Sequence, residues 1–108
     1  QMLLSHVKQG IVYISSTAGI KGNSKFPIYS ASKAALNCYA QSMAKAHPEL
    51  QIYALCPGPT KTKMWDKLGL EGTPQDPECV ANAMKLIMAG TFKSGSIITV
   101  RDGICQIA

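Results

Sequence analysis

Three short apolar runs alternate with two stretches whose apolar residues recur at helical spacing, and this alternation organises the chain. Gly10-Ile11-Val12-Tyr13-Ile14-Ser15 is apolar, β-branched and closed by small residues, which suits a buried strand of a parallel sheet. Ser16 to Pro27 contains Gly19, Gly22, Asn23 and Ser24 and reads as a loop. From Tyr29 to Ala46, the positions Ala31, Ala34, Ala35, Leu36, Tyr39, Ala40, Met43 and Ala44 mark a first helix, which Pro48 ends. Gln51-Ile52-Tyr53-Ala54-Leu55-Cys56 is a second strand, stopped by Pro57-Gly58-Pro59. Thr60 to Gln75 mixes Trp65, Leu68 and Leu70 with Lys, Gly and Thr, and reads as a mobile loop with a short helical piece. A second helix is expected from about Pro77 to Ala89, with Asp76 as N-cap, Pro77 at its first position, Glu78 at its positive end and Gly90 closing it. Its inward residues should be Val80, Ala81, Met84, Ile87 and Met88. Ser96 to Val100 is a third strand, followed by a turn at Asp102-Gly103.

Strand, helix, strand, helix, strand predicts an α/β fold: the C-terminal βαβαβ half of a Rossmann-like, doubly wound parallel sheet, with right-handed crossovers. In such sheets ligands sit beyond the C-terminal strand ends, which is where Ser15-Ser16 and Pro57-Gly58 fall. Met2 to Val7 reads like the end of a helix and the chain opens without Met, so residues 1–108 are expected to form one partial domain. Its first strand would then lack a neighbour and leave an apolar edge prone to association.

Composition narrows the function classes. An apolar fraction of 46% with 16% charged residues describes a chain folded throughout. The net charge of +5 comes from eleven basic and six acidic residues, and Lys8, Lys21, Lys25, Lys61, Lys63 and Lys67 lie mostly in predicted loops or helix ends, as a solvated face would have them. Aromatics are only 6%, so the interleaving expected of a nucleic-acid surface is missing and no nucleic-acid partner is expected. Cys38, Cys56, Cys79 and Cys105 lack metal-ligand spacing and read as buried thiols of a reducing compartment. No apolar run approaches the ~20 residues of a membrane span, and Gln1 to Gly10 lacks a signal-peptide layout, so a cytoplasmic protein without a membrane partner is expected.

Tyr29 and Lys33 are four residues apart at the start of the first helix and share a face. An ammonium beside a phenol favours the phenolate, which lets a tyrosine act as acid or base. Ser16, thirteen residues earlier at a strand end, offers a hydroxyl to the same substrate oxygen, unless Ser15 and Ser16 merely cap local backbone.

Ile11-Val12-Tyr13-Ile14-Ser15-Ser16-Thr17-Ala18-Gly19, Tyr29-Ser30-Ala31-Ser32-Lys33 and Pro57-Gly58-x-x-x-Thr62, in this order, resemble three signatures of classical short-chain dehydrogenases/reductases. The resemblance spans about residues 10 to 64 and implies an oxidoreductase moving hydride between NAD or NADP and a small-molecule carbonyl or secondary alcohol. It implies Tyr29 as general acid/base, Ser16 as the group polarising the carbonyl, and Lys33 as a hydrogen-bond donor to the nicotinamide ribose. The Pro57, Gly58, Thr60 and Thr62 loop would seat the nicotinamide carboxamide. Thr60 stands where the family commonly has an aliphatic residue, a change expected to be mild because the contact there is through backbone. The family's Gly-rich pyrophosphate turn is absent, and Asn23, Asn37 and Asn82 are misplaced for its catalytic Asn. A non-catalytic cofactor-sensing or subunit-pairing protein of the same fold is therefore the alternative. Asp76-Pro77-x-x-Val80-Ala81-Asn82-Ala83, Gly95-Ser96-Ile97-Ile98 and Gly103-Ile104 look similar to the 15-hydroxyprostaglandin dehydrogenase branch, which tilts the expectation to NAD and an apolar secondary alcohol. Trp65, Leu68 and Leu70 in the Lys63-to-Gln75 loop would cover the substrate or, alternatively, pack as core beneath the loop. Small residues on the first helix (Ala34, Ala35, Ala40, Ala44) would allow the homodimer or homotetramer packing common in the family, or plain packing on the sheet, which needs no partner.

Overall fold

The computed structural model describes residues 10–68 and 72–108. The Met2 to Val7 helix end, Leu70 and the packing of Leu68 lie outside what is described. In chain order the elements are β1 (Gly10–Ile14), a 3-10 turn (Thr17–Gly19), α1 (Pro27–Ala46), β2 (Gln51–Pro57), α2 (Lys63–Leu68), α3 (Pro77–Met88), β3 (Ile97–Arg101) and β4 (Ile104–Ile107). The sheet order is β1-β2-β3-β4, with β1, β2 and β3 parallel and β4 antiparallel to β3.

β2 is the heart of the sheet because its side chains are apolar on both faces. Ile52 and Ala54 pack with Ala40, Met43 and Ala44 of α1, and Tyr53 and Leu55 pack with Ala83 and Ile87 of α3 together with Ile98 and Val100 of β3. Ile52, Leu55 and Ile98 are fully buried, each worth on the order of 2–3 kcal/mol relative to exposure. The predicted α/β fold is thus present, but its handedness differs from expectation. The chain steps in the same direction from β1 to β2 and from β2 to β3, while α1 and α3 lie on opposite faces. The two crossovers therefore have opposite hands, and one is left-handed against the usual rule. The physical reason is the second apolar face of β2 and β3, which α1 does not cover. The long segment from Gly58 to Asp76 gives the chain length to carry α3 to that face.

Four further expectations are corrected. β1 is not a buried strand: Ile11 and Ile14 are 37% and 51% exposed, because β1 pairs only with β2 among the described residues. α1 starts two residues before Tyr29, with Pro27 preset for its first turn, and its inward stripe is Ser30, Lys33, Asn37, Ala40 and Ala44, while Ala31, Ala34, Ala35 and Tyr39 face out. On α3, capped by the Asp76 side chain as expected, Val80, Met84, Ala83 and Ile87 turn inward, whereas Ala81 and Met88 are exposed because they lie off that 3.6-residue stripe. Of the cysteines, all four are free thiols, but Cys38 is exposed on the outer face of α1 and only Cys56 is fully enclosed.

β4 was not anticipated. Asp102 and Gly103 have φ of 51° and 78°, the two positive values of a tight hairpin turn, and they fold Ile104–Ile107 back onto β3. No helix among the described residues is long and apolar enough to cross a membrane.

Candidate active site

The C-terminal ends of β1, β2 and β3 open onto one cleft of about 1080 Å³, lined among others by Ser16, Tyr29, Gly58, Thr62, Trp65 and Arg101. Pro57 and Thr60 line it as well. The segment read as lying over substrate contains the short helical piece expected of it, α2, with Trp65 facing the cleft.

Three contacts hold the start of α1 against the end of β1. Ser15, buried, donates from Oγ to the Lys33 carbonyl at 3.2 Å. Lys33 Nζ donates to the Ile14 carbonyl at 3.5 Å and lies 5.5 Å from the centre of the Tyr29 ring. Gly19 lets the 3-10 turn touch the helix: a Cβ there would stand 2.6 Å from the Lys33 carbonyl carbon and 2.7 Å from the Ala34 nitrogen. The spacing of Tyr29 and Lys33 thus places both side chains on one face, with Tyr29 about half exposed to the cleft.

Ser16 and Thr62 share a design. Ser16 Oγ accepts from the Ala18 N–H at 3.1 Å and caps the 3-10 turn, and Thr62 Oγ1 accepts from the Trp65 N–H at 3.1 Å ahead of α2. Each cap uses an acceptor lone pair and leaves the hydroxyl proton available to a ligand. The capping and ligand-binding readings of Ser16 are therefore compatible.

Beneath the cleft lies a polar cluster. Cys56 Sγ donates to Asn37 Oδ1 at 3.3 Å, and the buried Asn37 Nδ2 has no partner. Burial pushes the Cys56 thiol up from its ordinary range, opposed by Ser15, the Ser16 backbone, Asn37 and Lys33. This thiol is a neutral packing group.

The sequence reading missed Gln75 and Arg101. Gln75 is buried and bonds the loop after β2 to β3. Arg101 crosses Gly58 so closely that a Cβ on Gly58 would sit 3.0 Å from its Cγ. Neither belongs to a periodic pattern or a recognisable motif, so no local signal marks them.

The short chain dehydrogenase family model matches residues 1–72, and the chain belongs to that family. It is 33% identical over 112 residues to carbonyl reductase family member 4 of Danio rerio, covering 94% of this chain and 47% of that protein. It is 42% identical over 68 residues to (+)-neomenthol dehydrogenase of Arabidopsis thaliana, covering 63% and 21%. A short-chain type dehydrogenase/reductase from Mycobacterium ulcerans shares the fold, with a TM-score of 0.78 at 21% identity over 93% of this chain and 42% of that one. The chain spans about half, or less, of the length of the curated relatives it matches. These relatives are carbonyl reductases, 3-oxoacyl-[acyl-carrier-protein] reductases and a neomenthol dehydrogenase. The likeness to the 15-hydroxyprostaglandin dehydrogenase branch finds no support among them, and the tilt to NAD that rested on it is set aside.

Proposed function

We propose that the chain forms the proton-transfer half of a nicotinamide-dependent oxidoreductase that interconverts a carbonyl compound and a secondary alcohol. The observation that carries this reading is the meeting of Ser16, Tyr29 and Thr62 in one cleft at the strand ends, with Lys33 beside the Tyr29 ring. In reduction the Tyr29 hydroxyl gives its proton to the carbonyl oxygen; in oxidation it takes that proton back. Ser16 donates to the same oxygen and stabilises the negative charge that gathers there. Lys33 holds the ribose next to the nicotinamide, and the loop from Pro57 to Thr62 holds the carboxamide through backbone and the Thr62 hydroxyl.

The residues fit such a cofactor. In the parallel bridge between Thr60 and Gln75, the Gln75 N–H bonds the Pro59 carbonyl and the Lys61 N–H bonds the Gln75 carbonyl, both at 2.8 Å. Thr60's own N–H and C=O therefore point away from Gln75, a donor and acceptor pair that matches an amide. When bound, NAD or NADP supplies or accepts the hydride. We place the pyrophosphate-binding elements in chain outside residues 1–108. The apolar rim formed by Phe26, Trp65, Val80 and Ala81 suits an apolar ketone or alcohol, in keeping with relatives named for a carbonyl and for neomenthol. Outward Ala34 and Ala35 support pairing of α1 with its copy in a homodimer or homotetramer, and four free thiols support a reducing, cytoplasmic setting.

Titrating the full-length protein with NADH and NADPH tests the cofactor assignment. Trp65, the only tryptophan in these 108 residues and a lining residue of the cleft, is expected to be quenched saturably, with energy transfer to the dihydronicotinamide. Trp65 emission indifferent to both cofactors would refute a nicotinamide in this cleft.

A further inference from the structure

Gln75 is a buried polar side chain beside the cleft, and its bonds join the loop after β2, the end of β3 and the hairpin turn. Its Nε2 donates to the Val100 carbonyl at 2.9 Å and to Thr60 Oγ1 at 3.3 Å. Its Oε1 accepts from the Gly103 N–H at 3.2 Å. Thr60 Oγ1 donates onward to the Gly58 carbonyl at 2.8 Å, and the Gly58 N–H donates to the Val100 carbonyl at 2.8 Å. The network is closed: the Gly58 N–H reaches the end of β3 directly, while the Gly58 carbonyl and the Thr60 hydroxyl are tied through one buried amide to the end of β3 and to the hairpin turn.

The backbone of Gln75 completes the device. Its N–H and C=O bridge Pro59 and Lys61, so that Thr60 is held as a single residue of parallel ladder with its own peptide groups turned outward. We infer that Gln75 is a positioning residue for nicotinamide recognition: its side chain fixes the Gly58-to-Thr60 path, and its backbone orients the Thr60 N–H and C=O toward the carboxamide. Thr60 is then a working part of the loop, since its hydroxyl is the link between Gln75 and Gly58. This inference rests on the nicotinamide reading above.

The substitutions Gln75→Leu and Gln75→Glu separate positioning from bulk stability. Leu removes every side-chain bond, while Glu keeps the shape and an acceptor for Gly103 but loses the donor to Val100 and Thr60. Dissociation constants for NADH and for ADP-ribose, which lacks the nicotinamide, are measured on the full-length protein and on each variant. Both variants are expected to bind NADH about tenfold more weakly, the equivalent of one or two hydrogen bonds, with ADP-ribose affinity unchanged. Thr60→Val should show a smaller loss in the same direction, and it carries the test if the Gln75 variants do not fold. Equal weakening of both ligands, or NADH affinity preserved in the variants, would overturn the role of Gln75. If the unaltered protein binds NADH no better than ADP-ribose, the nicotinamide reading itself fails, a result distinct from either.

Discussion

Replacing Tyr29 by Phe is expected to lower turnover of the full-length protein by roughly 10²–10⁴-fold, the usual contribution of a positioned general acid, with NADH or NADPH affinity nearly unchanged. The expectation follows from the short roster of ionisable groups in the cleft: Lys21, Tyr29 and Arg101 are the only ones among its lining residues in the described part of the chain. Arg101 lies packed across Gly58, and Lys21 sits on the exposed loop ahead of α1. Tyr29 alone combines a transferable proton with a fixed place on a helix. The ring survives in the Phe variant, so α1 and the cleft keep their packing and the cofactor keeps its contacts. Steady-state rates and a cofactor titration on the same sample check both halves. Turnover retained within a few-fold would remove Tyr29 from the proton path and move attention to Lys21.

The second large effect is structural. Gly19→Ala should destabilise the protein by about 1–3 kcal/mol, as overpacking does elsewhere, and should cut turnover more than that loss of stability explains. The added Cβ would meet the Lys33 carbonyl carbon at 2.6 Å, the Ala34 nitrogen at 2.7 Å and Lys33 Cβ at 2.8 Å. Two of these three atoms are backbone, so a rotamer change brings no relief. Either the 3-10 turn lifts, moving Ser16, or the first turns of α1 shift, moving Tyr29 and Lys33. A displacement of about 1 Å at reacting groups can cost on the order of 10²-fold in rate. Thermal unfolding and turnover of this variant, measured at a temperature where it remains folded, check the two effects separately. A variant as stable and as active as the parent would show that the turn does not set the distance between Ser16 and α1.

Gly19 also shows why part of this molecule is legible in its sequence and part is not. The elements that follow local rules are found where expected: β2 from its unbroken apolar run, α3 from Asp76 and Pro77, the hairpin turn from Asp102-Gly103. Strand end, helix start and spacing account for where the structure puts the proposed catalytic residues: Ser16 and Tyr29 line one cleft, and Lys33, which is not among the lining residues, stands beside the Tyr29 ring. What escapes is decided by contacts distant in sequence. The opposite hands of the two crossovers depend on which face of β2 remains uncovered. The apolar run of β1 by itself reads as buried; its exposure follows from the lack of a second neighbour among the described residues. Gln75 meets Val100 and Gly103 across 25 and 28 positions, and nothing around Pro74-Gln75-Asp76 foretells it. β4 escapes for another reason: Ile104, Cys105, Gln106 and Ile107 form too short a run to stand out, and they become a strand only because the turn delivers them to β3.

The reaction itself is tested most directly by following the transferred hydrogen. The full-length protein is incubated with aliphatic and cyclic ketones and with NADH or NADPH carrying deuterium at the transferable position, and the products are weighed by mass spectrometry. An alcohol one mass unit heavier, labelled on the carbon that bore the carbonyl, is the result expected of an oxidoreductase working through this cleft. Cofactor that binds yet keeps its label with every ketone would contradict it and make the protein a sensor of nicotinamide rather than an enzyme.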